Sequence, residues 1–319
     1  MAIETDGLTK RYDGRAVVDG LSIRVPRGQV VGFVGPNGAG KTTTIRMLLG
    51  LVRPDGGEAR VLGASIRDPA AYLPRVGALI EAPAFYPHLS GAANLRVLCR
   101  LGGFPDEHMG LLLAQVGLSE SAHRAYKGYS LGMKQRLGIA ASLLPDPDLV
   151  ILDEPTNGLD PAGIQEVRDF LRGLARQGKT VFVSSHQLAE VQRICDHVVV
   201  LHQGRVLFQG TMAQLLARGT GLRMAADDPR RNAELAALVR KAGHAVTEGP
   251  DGLQVEGVGP REAAQLNALA FKAGIVLREL HAGGTDLEQA FLTMTGNSGG
   301  EGASGGAGGG DGSLGRASA

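Results

Sequence analysis

The sequence predicts an α/β protein: a mostly parallel sheet carrying a helical insertion, followed by a smaller α+β unit. Three observations carry that expectation. Near-continuous apolar runs at 29–34, 149–152 and 180–184 have the pattern of strands buried on both faces, with helical stretches between them. A glycine-rich loop, Gly35 to Thr42, joins the first of these runs to a helical pattern beginning at Thr43. From about 221 to 295 the element order reads β-α-β-β-α-β.

Taken in order, residues 1 to about 34 alternate short β-rich runs with turns. Ala16-Val17-Val18 and Leu21-Ser22-Ile23-Arg24-Val25 read as strands, and Pro26-Arg27-Gly28 as a tight turn. Between about 85 and 145 the pattern is helical, with short amphipathic segments at 92–98 and 109–116 punctuated by Gly and Pro. A helix over about 162–177 separates the two later apolar runs. The second unit reads as strand 222–226, helix 229–242, a hairpin over 245–258 turning at Pro250-Asp251-Gly252, helix 260–273 and strand 275–280. The expected domains are therefore 1–218, with its helical part at 85–145, and 221–295. Residues 296–319 are so rich in Gly, Ala and Ser that they are expected to be disordered.

With 319 residues, 43% of them hydrophobic, the chain can bury one large or two modest cores. Its 33 basic and 32 acidic side chains leave a charge of +1, which gives no field to steer it onto nucleic acid. Cys99 and Cys195 are too few for a disulfide framework and lack metal-ligand spacing, so reduced thiols are expected. Met1 to Asp6 lacks a basic region followed by an apolar stretch, and no leader is expected. No run approaches the roughly 18 apolar residues of a membrane span, so any membrane role is expected to come through a partner.

The loop Gly35-Pro36-Asn37-Gly38-Ala39-Gly40-Lys41-Thr42 fits G-x-x-x-x-G-K-[ST] in the strand-to-helix context that motif requires. Its glycines let successive backbone N–H groups face phosphate oxygens, and the helix N-terminus adds positive potential. Lys41 is expected to reach the β- and γ-phosphates, and Thr42 to place its hydroxyl on Mg²⁺. The motif alone does not choose between an ATPase, a GTPase and a kinase. Leu149-Val150-Ile151-Leu152-Asp153-Glu154 narrows the choice, because a buried strand delivers two carboxylates beside the phosphates. Asp153 is suited to hold Mg²⁺, directly or through water, and Glu154 to polarise an attacking water.

Further motifs complete a pattern. Tyr129-Ser130-Leu131-Gly132-Met133-Lys134-Gln135-Arg136 precedes a helix read from Met133 to Leu144; Gly158-Leu159-Asp160 follows the carboxylates, and His186 follows Ser184-Ser185. In this order and spacing, over residues 2–217, the chain resembles the ATPase subunits of ABC transporters. The resemblance implies a P-loop NTPase nucleotide-binding domain with a helical subdomain, here joined to a small ferredoxin-like C-terminal domain. It implies ATP and Mg²⁺ as cofactors, bound by Gly35 to Thr42 with Thr43. It further implies that Tyr12 stacks on adenine, that Asp160 contacts an opposing subunit, and that His186 hydrogen-bonds the γ-phosphate. Lys41, Glu154 and His186 are then the catalytic residues. Ser130 and Gly132 would reach the nucleotide held by a second copy, so a homodimer with ATP between the subunits is expected.

Two departures from the usual pattern refine the resemblance. Tyr129, Leu131 and Met133 stand where the usual Leu-Ser-Gly-Gly-Gln has Leu, Gly and Gln. Glu81, in Val76-Gly77-Ala78-Leu79-Ile80-Glu81, stands where transporter ATPases normally place Gln, and is expected to bind the nucleotide's Mg²⁺ or its water. Glu81 and the Ser130 motif together resemble the bacitracin and lantibiotic-immunity branch. That branch implies export of a peptide antibiotic or other amphipathic compound through a separate integral membrane permease, with this subunit on the cytoplasmic face. The alternatives are a soluble ABC ATPase acting in translation or on DNA, and a nucleotide-sensing subunit. A single cassette without heptads or a basic patch argues against the first, and intact Lys41, Asp153, Glu154 and His186 against the second.

Overall fold

The computed structural model describes residues 1–80, 84–218, 221–249 and 252–282. In chain order the elements are β1 (Ile3–Tyr12), β2 (Arg15–Leu21), β3 (Arg24–Val25), β4 (Val30–Val34), α1 (Lys41–Leu48), β5 (Gly56–Val61), β6 (Ala64–Ser65), β7 (Val76–Leu79), α2 (Gly91–Gly102), α3 (Met109–Gln115), α4 (Leu131–Ser142) and β8 (Leu149–Asp153). There follow α5 (Pro161–Arg176), β9 (Thr180–Ser185), α6 (Leu188–Ile194), β10 (His197–His202), β11 (Arg205–Thr211), α7 (Met212–Arg218), β12 (Gly221–Ala226), α8 (Asn232–Lys241), β13 (Val246–Gly249), β14 (Gly252–Glu256), α9 (Pro260–Lys272) and β15 (Leu277–Ala282).

The main sheet has the order β11-β10-β4-β9-β8-β7, parallel except for the β10–β11 pair. Every residue of β4, β8 and β9 is buried, which is why these strands read as unbroken apolar runs. Alternation along them feeds two cores. Val34, Leu152 and Val183 join the helical residues Leu95, Leu137 and Leu171 on one face. Phe33, Ile151 and Phe182 pack on the other face with Ile45 and Leu48 of α1. That second core also takes Ile3, Leu8 and Val61 from an antiparallel sheet of order β2-β1-β5-β6, so α1 lies between two sheets.

The C-terminal unit is a wholly antiparallel sheet of order β13-β14-β12-β15 with α8 and α9 sharing its core, the ferredoxin-like arrangement expected from the element order. Residues 283–319, including the glycine-rich tail, lie outside the described residues, as do Pro250 and Asp251 of the expected turn.

Several boundaries differ from the sequence reading, each for a local reason. The strand expected over Leu21–Val25 is split in two. Thr5 Oγ1 donates to Leu21 O at 2.7 Å and accepts from Ile23 N at 3.0 Å, so a side chain replaces the ladder between β2 and β3. The helix expected from 229 begins at Asn232, after a single 3₁₀ turn set by Pro229 and capped by Asp228, which accepts from Arg230 N at 3.0 Å. The strand expected from 275 begins at Leu277. Ile275 instead closes α9, its N–H donating to Ala270 O at 2.9 Å behind Gly274 in the left-handed region. The helix expected from Met133 starts at Leu131 because Ser130 is its N-cap.

Candidate active site

The parallel strands deliver the motif residues to one edge of the main sheet. Val34 lies opposite Ser185, and Asp153 opposite Ser184, so the loop after β4 and the ends of β8 and β9 converge. This is the carboxyl edge, where open α/β sheets bind ligands. The loop hugs the sheet closely. A Cβ on Gly35 would lie 2.5 Å from Leu201 O, and one on Gly40, at φ 99°, would lie 2.6 Å from Val17 O. Both positions therefore exclude any side chain. Gly38, Ala39, Pro36 and Asn37 complete the loop, with Ala39 N donating to Pro36 O at 3.1 Å.

Lys41 opens α1 and is buried. Its Nζ folds back to donate to Gly35 O at 2.7 Å and to Pro36 O at 3.4 Å, and lies 3.3 Å from Glu154 Oε1. Thr42 Oγ1 donates to Asp153 Oδ2 at 2.7 Å, while Ser184 Oγ donates to Asp153 Oδ1. Thr43 follows, half-buried, on the first turn of α1. Asp153, itself buried, thus has both oxygens taken by hydroxyls.

Glu154 adopts φ 50°, a left-handed backbone that costs a non-glycine residue about 1–3 kcal/mol. Its N–H donates to Ser184 Oγ at 3.0 Å, which holds the turn. Its carboxylate then faces Lys41 on one side and His186 Nδ1, at 2.8 Å, on the other. An ionised carboxylate only accepts, so Nδ1 carries the proton in this arrangement.

The second group of motif residues makes its contacts separately. Ser130 caps α4, its Oγ accepting from Met133 N at 3.3 Å, and Asp160 caps α5, its Oδ1 accepting from Gly163 N at 3.0 Å. The two turns interlock. A Cβ on Gly158 would lie 2.4 Å from Leu131 Cδ2, and one on Gly132 would lie 3.2 Å from Leu159 Cδ2. Each turn therefore seats its leucine over the other's glycine, and Arg136 and Glu166 join α4 to α5 at 2.7 Å. Among the described residues, no hydrogen bond or ion pair links Ser130 or Gly132 to the Lys41 cluster.

Tyr12 ends β1 at the hairpin into β2, 45% exposed, with Lys10 Nζ 5.4 Å from its ring centroid. Glu81 lies outside the described residues. Ser184 is the residue that motif reading passed over. A serine placed by alternation on the Phe182 face of a buried apolar strand was the available signal.

The donor set suits a nucleoside triphosphate with Mg²⁺. Loop N–H groups and a lysine match phosphate oxygens, and a threonine hydroxyl beside one carboxylate matches a hard cation that keeps most of its ligands as phosphate and water. Among the described residues no group of three His, Cys, Asp or Glu forms a metal cage.

Fold and site together define a P-loop nucleoside triphosphatase of the cassette type. The family model described as ABC transporter matches residues 18–157. The bacitracin transport ATP-binding protein BcrA of Enterococcus faecalis is 43% identical over 219 residues, 68% of this chain and 71% of that protein. The daunorubicin/doxorubicin resistance ATP-binding protein DrrA of Streptomyces peucetius is 41% identical, over 75% of this chain and 74% of its own length. A solved ATP-binding subunit of an ABC transporter superposes with a TM-score of 0.61 at 31% identity, covering 67% of this chain and 92% of that one. The chain belongs to the ATP-binding, ATPase subunits of ABC transporters, and is related there to the bacitracin and lantibiotic branch. Membership implies use of ATP and Mg²⁺ and pairing of ATPase domains with a membrane permease.

Proposed function

We propose that this chain is the ATP-hydrolysing subunit of an exporter, acting as a homodimer on a separate integral permease. The observation that carries the reading is the cluster at the sheet edge, where Lys41, Glu154 and His186 form one chain and Thr42, Asp153 and Ser184 another. In this reading Gly35 to Lys41 hold the phosphates, Thr42 and Asp153 hold Mg²⁺, and Tyr12 carries the adenine. Bound Mg²⁺ supplies neutralisation of charge on the triphosphate. Glu154 accepts the proton of the attacking water, and Lys41 draws negative charge toward itself as the terminal phosphate departs. A donation from His186 Nε2 to phosphate needs a proton there as well, so His186 makes that contact as imidazolium or after leaving Glu154. Glu81 adds an oxygen ligand for Mg²⁺ or its water. Glu81→Ala is expected to lower hydrolysis or its coupling to transport while ATP binding survives, and unchanged turnover and transport would remove the role.

Ser130 and Gly132 serve the nucleotide of the partner copy, with Asp160 at the contact between copies. The support is that Ser130 begins a helix whose first N–H groups have no intrahelical acceptor, and that among the described residues it has no hydrogen bond to this copy's own cradle. Mixing a Lys41→Ala copy with a Ser130→Ala copy is the test. Each mixed pair should regain one intact site and measurable turnover, whereas two inactive parents giving an inactive mixture would end the composite reading.

Among the described residues no helix is long and apolar enough to cross a membrane, so attachment to the cytoplasmic face is assigned to the permease. Residues 1–218 are taken as the ATPase unit and 221–295 as a packing or regulatory appendage. The cargo class is inferred from the relatives: a peptide antibiotic or another amphipathic compound. Purification of the subunit from membranes with its attached integral protein, followed by drug-sensitivity measurements on strains lacking the pair, tests that class.

A further inference from the structure

Ser184 ends the apolar run Val181-Phe182-Val183 and is fully buried. Strand alternation sets it on the Phe182 face, directly beside Asp153 of the neighbouring strand. A strand covered on both sides has no packing need for a hydroxyl, and a buried hydroxyl costs stability unless it is bonded. This one is doubly bonded. Its single proton goes to Asp153 Oδ1, and a lone pair takes Glu154 N–H at 3.0 Å. With Thr42 Oγ1 on the other oxygen at 2.7 Å, Asp153 is gripped from β9 and α1 at once. The same serine pins the left-handed turn at Glu154, which aims that carboxylate at Lys41 and His186.

We propose that Ser184 is a positioning residue for the hydrolytic reaction, one hydroxyl that sets the orientation of both carboxylates. The inference rests on the reading of Thr42 and Asp153 as the Mg²⁺ site and Glu154 as the base. It makes the two acids a coupled pair: loss of the hydroxyl frees the Asp153 rotamer and loosens the Glu154 backbone together. Neither acid touches substrate through Ser184, so its effect is on placement and not on the nucleotide's grip.

The test compares Ser184→Ala with the shape-matched pair Ser184→Thr and Ser184→Val, which share any crowding and differ only by a hydroxyl. Two readouts need no turnover: hydrogen exchange of the Glu154 amide in the nucleotide-free subunit, and Mn²⁺ half-saturation with a non-hydrolysable ATP analogue. In the Ala variant, amide exchange and Mn²⁺ half-saturation should each rise about tenfold, the worth of one lost hydrogen bond to a buried group. Turnover should fall at least about tenfold while KM for ATP stays within about threefold, the pattern of a lost transition-state contact. Ser184→Thr should track the wild type and Ser184→Val should track Ala. Wild-type exchange and turnover in Ser184→Ala, or equal behaviour of Thr and Val, overturns the proposal. A wild type with no Mg²⁺-dependent hydrolysis would instead sink the functional reading, and the Glu154 amide would still decide the placement of Ser184.

Discussion

The phosphate cradle and the Ser130 turn follow opposite plans. In the cradle, Lys41, Asp153 and Ser184 are buried and each charged or polar group has a partner within the same copy. At the Ser130 turn, Leu131 is 56% exposed, Ser130 and Asp160 are exposed, and the two turns interlock by shape beside a surface ion pair between Arg136 and Glu166. The cradle is preorganised electrostatics, costly to build and complete at rest. The turn is an exposed surface at the N-terminus of α4, whose first N–H groups lack intrahelical acceptors. Under the proposed composite reading, such a division leaves one copy inert until two surfaces meet.

The largest break in that contrast comes from the cradle. Glu154→Gln removes the proposed proton acceptor and keeps the shape, and should lower steady-state turnover by about 10²–10⁴-fold with nucleotide binding retained. Equal, near-zero rates in wild type and variant would instead mark a nucleotide sensor.

The next effect belongs to the turn. Gly158→Ala places a methyl within 2.4 Å of Leu131 Cδ2 at a residue with φ 76°. The interlock must open or the backbone must strain, and both displace Ser130 and Asp160. Turnover should drop about tenfold, comparable to a misplaced catalytic group at the mild end, with ATP affinity of the separated subunit unchanged. Adding Leu131→Ala relieves the clash and not the backbone strain, so it should return part of the loss. No recovery would mean that the leucine contact is idle.

Asp160 separates stability from assembly more finely. Asp160→Ala loses the cap of α5 and should cost about 1 kcal/mol, a fall of roughly 2 °C in the unfolding midpoint. Asp160→Asn caps equally well and removes the charge, so it should keep the midpoint while weakening ATP-driven dimerisation, read by size-exclusion chromatography.

The same contrast governs what the sequence revealed. The cradle was legible because its chemistry needs particular residues at fixed spacing: glycines where a Cβ meets Leu201 O or Val17 O, then Lys41, Thr42, Asp153 and Glu154. Strands β4, β8 and β9 were legible because two-sided burial leaves unbroken apolar runs. What escaped depends on contacts distant in sequence. The break between β2 and β3 is made by Thr5, and the roles of Leu131 and Leu159 exist only because the folded chain sets each over the other's glycine. Ser184 escaped for the same reason, since its partners lie on the neighbouring strand.

The two cysteines offer the gentlest comparison, because both belong to the core on the helical face of the main sheet, one in α2 and one just after α6. Cys195 follows α6 behind the cradle, where a Cβ on Gly32 would come within 3.0 Å of its sulfur; Cys99 sits in α2 of the helical part. Burial raises both thiols above their ordinary value of 9.0, Cys195 the more strongly. Both therefore stay protonated near neutrality, and since the thiolate is the nucleophile, alkylation at pH 8 reports opening of the surroundings. Cys99, whose thiol is raised the less strongly, should label first, with Cys195 slower. The sign of the linkage also follows. A folded-state value above the unfolded one favours the fold below pH 9 and withdraws that contribution as pH rises beyond it, so the urea midpoint should fall from pH 8 to pH 10. Replacing Cys195 with Ala should flatten that fall more than replacing Cys99 does. Equal labelling rates for the two thiols would mean that α2 and the segment after α6 open together.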